Sequence, residues 1–133
     1  MTTTEQFTSN GKTLAYIVRA ESKPEKTAFL TPPDFNLQVG HIVYPAGHEI
    51  ARHVHRQIER HIVGTSEVLI VKRGGCEIDI YNDQRELVAT RELWEGDIMI
   101  MVGGGHGFRM LEDTVLIEVK QGPYPGVDEK ERF

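Results

Sequence analysis

The sequence predicts an all-β domain, a sandwich or barrel, and three observations lead there. Short segments rich in β-branched and aromatic residues recur about every ten residues, separated by Gly, Asn and Asp. Within "CEIDIY" the alternation of a strand is explicit: Cys76, Ile78 and Ile80 share one face, and Glu77, Asp79 and Tyr81 the other. Nowhere does a long 3.6-residue period run between helix caps, so helix is limited to a turn or two.

In chain order, the N-terminal "MTTTEQFTSNGK" is polar and reads as neither a signal nor a transit peptide. "TLAYIVRA" (13–20) and "NLQVGHIVY" (36–44) are strand candidates flanked by turn residues, with "ESKPEK" (21–26) and "TPPD" (31–34) as loops. "EVLIVKRG" (67–74) and "CEIDIYND" (76–83) form the next strands, each ending in turn residues. "RELWEGDIMIMVGGG" (91–105), "HGFRML" (106–111) and "DTVLIEVKQG" (113–122) complete the set. "GPYPGVDEKERF" (122–133) is expected to be a polar, exposed tail. No repeat or low-complexity segment interrupts the pattern.

A chain of 133 residues with net charge −5 is expected to be one soluble domain that binds no nucleic acid, because phosphate neutralisation needs clustered Lys and Arg. The basic residues are scattered instead. No apolar run approaches the ~18 residues of a membrane span. The one cysteine, Cys76, excludes an internal disulfide framework and fits a reducing compartment, so a cytoplasmic location is expected. Cys76 lies in an apolar strand and is expected to be an inert core thiol. Trp94, Met99 and Met101 are expected to fill core or interface volume.

Four of the six histidines and three glutamates lie in "GHEIARHVHRQIERHIVGTSE" (47–67). On a strand, residues two apart point to the same side, so His53 and His55 can face one interior. Glu67 opens the next apolar run and can stand beside them on an antiparallel neighbour. His106 follows a glycine turn at the start of a later strand. Three imidazoles and a carboxylate form a plausible set for a divalent transition metal. "HEIAR" lacks the second histidine of a zincin helix, and "GGGHG" has no helix after it to make a phosphate loop.

These residues resemble the two motifs of the cupins, small β-barrel proteins with a metal centre. The first motif runs G-x5-H-x-H-x3–4-E-x6-G: Gly47, His53 and His55 match its first half, and Glu67 and Gly74 its second. Eleven residues separate the halves here, where the family has three or four. The second motif runs G-x5-P-x-G-x2-H-x3-N. Gly96, Gly103, Gly104 and His106 follow it, with Val102 in the proline position, the histidine one residue early and Met110 near the asparagine position. The resemblance covers about residues 36–120.

The resemblance implies a double-stranded β-helix, the jelly-roll barrel, as a single domain over 1–133. It comprises an N-terminal strand arm with loops (1–35), a barrel core (36–120) and a tail (121–133). It implies one divalent transition metal per chain (Fe, Mn, Ni or Zn) on His53, His55, Glu67 and His106. Glu59 is a rival ligand, since it fits the count forward from His55. Three function classes follow. One is a metalloenzyme of isomerase, epimerase or lyase type acting on a small oxygen-rich molecule such as a sugar derivative, in bacterial carbohydrate or surface-polysaccharide metabolism. The others are an Fe(II)-dependent dioxygenase and a non-catalytic ligand-binding cupin. The first is preferred, because the inserted loop is polar and no aromatic cluster suits an apolar substrate. Arg60 and His61 in that loop are the candidate catalytic residues. Small cupins commonly pair, so a homodimer is expected, with strands over 7–18 suited to the contact.

Overall fold

The computed structural model describes residues 3–126 and 129–133, so residues 127 and 128 of the expected tail lie outside it. The strands are β1 (Thr4–Ser9), β2 (Lys12–Val18), β3 (Ala28–Phe29), β4 (Gly40–His41), β5 (Glu67–Arg73), β6 (Gly75–Tyr81), β7 (Leu87–Trp94), β8 (Ile98–Met101), β9 (Gly105–Met110) and β10 (Val115–Lys120). Every strand pairing is antiparallel, and the described residues contain no helix. The chain divides into two compact units, Met1–Ser22 with Thr65–Phe133, and Lys23–Gly64.

The first unit has the strand layers of a β-sandwich. One sheet has the order β1-β2-β8-β5-β10 and the other β7-β6-β9. Phe7, Leu14, Ile17, Leu69, Val71, Met99 and Met101 of the first sheet share one core with Cys76, Ile78, Ile80 and Leu93 of the second. Burying each large aliphatic side chain contributes roughly 1.5–3 kcal/mol, so this layer is the main source of stability. The alternation read in "CEIDIY" holds: Cys76, Ile78 and Ile80 are fully buried. Register aligns Phe7, Ala15, Met101, Glu67 and Lys120 in one row across the five strands. The next row on that face runs Ile17, Met99, Leu69, Glu118. Glu67 therefore occupies a core-facing position between Met101 and Lys120.

Where the chain departs from its expected elements, local chemistry explains it. The N-terminal segment forms the hairpin β1–β2, and β2 also pairs with β8, its five residues Leu14–Val18 buried. The long segment 91–105 breaks into β7 and β8 at a turn where Gly96 has φ +88. Asp97 seals that break. Buried there, it accepts hydrogen bonds from the Ala20 and Trp94 amides, both 2.8 Å, and from Arg19 Nη1 at 3.1 Å. Between β5 and β6, Gly74 (φ +86) brings its α-carbon so close to the Asp113 carbonyl that a Cβ would sit 2.3 Å from it. No other residue type fits.

In the second unit, β3 and β4 form a two-residue ladder with the Val43 amide donating to Thr27 Oγ1. Of the expected strand 36–44, only Gly40–His41 is in strand. Residues 49–63 form no strand at all.

Cys76 is fully buried, and burial, with the Asp97 charge, pushes its thiol pKa up. Alkylation by iodoacetamide near pH 8 should proceed only at the rate of fold opening, and become rapid in denaturant. Stoichiometric labelling of native protein within minutes would contradict this packing.

Candidate functional site

Glu67 is the first residue of β5 and His106 the second of β9, so they come from opposite sheets. Glu67 faces the core through its register with Met101, and His106 does so through its register with Ile80. They meet at one end of the sandwich, with His106 Nε2 3.3 Å from Glu67 Oε2. The carboxylate is nearly buried, whereas the imidazole keeps 32% of its surface. Gly104 makes the approach possible. It has φ +63, and a Cβ there would lie 2.1 Å from the Tyr81 carbonyl oxygen. Phe108, two residues beyond His106 on the same face, stands edge-on to the imidazole at 5.7 Å and packs against the core.

Hydrogen bonding with His106 holds the Glu67 carboxyl below its ordinary range. Burial pushes the other way, and the His106 charge, hydrogen bonding with Glu118 and the Lys120 charge add to the lowering. The pair also has the spacing of two donors to one cation. Ligands about 2.1 Å from a shared ion lie roughly 3.0–3.4 Å apart at octahedral to tetrahedral angles. Imidazole nitrogen and carboxylate oxygen suit Zn, Mn, Fe or Ni.

The remaining expected residues lie in the second unit. His53 and His55 stand ring to ring, centroids 5.3 Å apart and nearly edge-on, on irregular backbone rather than on the expected strand. His53 Nδ1 is 2.9 Å from the Ala51 carbonyl oxygen. Glu59, Arg60 and His61 are exposed in the same irregular segment, and His48 stacks on Tyr44 at 4.1 Å. The four expected ligands are thus present as two pairs, one in each unit. Among the described residues no three of His, Cys, Asp and Glu form a group able to hold an ion.

Glu67 and His106 line a pocket of about 530 Å³ within the first unit. Its wall includes Tyr81, Arg85 and the segment 129–133. Lys120 adjoins it, paired in register with Glu67. Lys120, Arg85 and Phe133 are not among the residues that the sequence singles out. The alternation in "VLIEVK" was an available signal, since it puts Glu118 and Lys120 on the core-facing side with Leu116. Arg85 carried another. It sits in the β6–β7 turn with φ +65, where Asn82 Oδ1 accepts the amides of Gln84 and Glu86. A non-glycine residue there costs of order 1–3 kcal/mol, and such strain gathers at functional positions.

No family model, curated protein or solved structure matches this chain.

Because the Glu67 carboxyl is lowered in the folded state, its ionised form stabilises the fold above the ordinary glutamate value. That stabilisation is lost as pH falls through and below about 4.3. The stability advantage of wild type over Glu67→Gln should therefore be full near neutrality and shrink in acid, measured by urea unfolding across pH. A difference that stays constant down to about pH 3, below the free carboxylate value, would contradict the assignment.

Proposed function

We propose that the chain is a metal-binding domain of the cupin kind whose first unit is the double-stranded β-helix. It acts, as a cytoplasmic homodimer, on a small oxygen-rich molecule such as a sugar derivative, by isomerase, epimerase or lyase chemistry. Support comes from one contact above all. An accessible imidazole and a nearly buried carboxylate, brought from two sheets, meet at 3.3 Å on the wall of a pocket. Both were expected as metal ligands from the sequence alone.

In this proposal Glu67 and His106 are the metal ligands of the first unit, and the cupin resemblance also assigns ligand roles to His53 and His55. The metal would act as a Lewis acid, polarising a carbonyl or enediolate oxygen of the substrate. Glu67 contributes a negative charge whose ionised form is favoured by its neighbours, so it is ready for a cation at neutral pH. His106 binds a metal only through an unprotonated imidazole nitrogen, so protons compete with the metal and retention falls in acid. Arg60 and His61 remain the candidates for substrate contact and proton transfer, because they are exposed polar groups on the irregular segment that also holds His53 and His55.

The metal content of purified protein tests the ligand set. Alanine at His53, His106 or Glu67 should lower it at least about tenfold, and Glu59→Ala should leave it unchanged. Wild-type content in His106→Ala would remove the proposal, and loss in Glu59→Ala with retention in Glu67→Ala would transfer the carboxylate role. For catalysis, Arg60→Ala or His61→Ala should keep the metal yet reduce turnover by about 10²-fold, the lower range for a lost acid or base. Recovery of the bound molecule chemically unaltered would mark a binding protein instead.

A further inference from the structure

The segment 129–133 is bound to the pocket wall by contacts of the kind a ligand would make. Glu129 Oε1 is 3.1 Å from Lys120 Nζ, and its Oε2 accepts from Thr65 Oγ1 at 3.3 Å. Glu131 Oε1 is 3.0 Å from Arg85 Nη2. The Phe133 ring stands edge-on to Tyr81 at 5.1 Å, with the Arg85 guanidinium 5.1 Å from its centroid. A Cβ on Gly105 would lie 3.0 Å from Phe133 Cζ, so the ring also lies against the strand that carries His106.

We infer that this segment is an internal occupant of the pocket, and that a small dicarboxylate binds there by displacing it and taking over Arg85 and Lys120. Two carboxylates of the chain already sit on these two cations. Once the segment leaves, Arg85 loses the Glu131 carboxylate and Lys120 keeps only Glu67 and Glu118 beside it, so a dicarboxylate can take the places of Glu131 and Glu129. The contacts are also of a strength that permits exchange. Glu131 is 82% exposed and Arg85 48%, and ion pairs so exposed hold weakly. Phe133 keeps 62% of its surface. Arg85 supplies an independent indication. Its φ of +65 belongs to glycine or asparagine, yet a guanidinium is kept there, facing both Glu131 and Phe133. The turn alone would be served better by Gly.

Titration with succinate, followed by the amide NMR signals of Gly104, Gly105 and Gly107, tests this on full-length protein freed of metal by chelating resin. Working without metal keeps the outcome independent of the metal proposal. The double variant Glu131→Gln/Phe133→Ala weakens the internal occupant while leaving Arg85 and Lys120 in place. It should bind succinate about three- to tenfold more tightly than wild type, because the population of open pocket rises. Arg85→Gly should bind it at least about tenfold more weakly than the double variant, losing one of two charge-assisted contacts. Its thermal midpoint should be unchanged or raised, which a merely structural arginine would not allow. Equal succinate affinity in wild type and the double variant would overturn the inference. So would the absence of pocket glycine shifts in both proteins, or equal response to uncharged 1,4-butanediol.

Discussion

A carboxylate stands where strand alternation calls for an apolar side chain. In the row Phe7, Ala15, Met101, Glu67, the first three are core residues and the fourth is an acid on the same face. Leaving such a group without a partner would cost several kcal/mol, so some element of the opposite sheet has to meet it. His106 does so from β9, and the glycines before it let β9 approach closely enough. The position along β5 matters as much as the face. Leu69 and Val71 lie deeper and seal the core, whereas Glu67 is the first residue of the strand, so its partner can remain open to solvent. The sandwich is apolar through its middle and polar at this end, and pocket, cations and bound segment all gather around that one contact.

What was legible in the sequence follows from how locally each feature is determined. The strands 67–73, 75–81, 105–110 and 115–120 show themselves by alternation and by glycine at their ends, because both signals act within a few residues. Glu67 and His106 could be picked out together, though 39 residues apart in sequence number, since each opens a strand after a turn. The break between β7 and β8 was less legible. It depends on Asp97 capturing amides from Ala20 and Trp94, and the first of these is a long-range contact. His53 and His55 leave their expected strand for a related reason, whereas the residues after them form the irregular loop that was expected. His-x-His at a spacing of two reads as strand, but strand formation needs a partner ladder, and residues 49–63 have none.

The bound segment 129–133 was invisible to pattern reading. Its sequence, "EKERF", has the composition of a solvated tail, and its attachment comes from tertiary partners alone: Lys120, Thr65, Arg85 and Tyr81. The same charges that make it look solvated are those that find counter-ions at the mouth of the sandwich. Arg85 is the instructive residue. Local propensity alone favours glycine at its backbone angle, and departures from local consistency of this kind concentrate at functional positions.

The central claim, that Glu67 and His106 ligate one metal ion, is tested most directly by anomalous diffraction from crystals of the Co(II)-loaded protein. The account predicts one strong cobalt peak per chain about 2.1 Å from both His106 Nε2 and a Glu67 carboxylate oxygen. Cobalt bound elsewhere, with Glu67 and His106 still in direct contact, would contradict it, as would crystals in which no site takes up the ion.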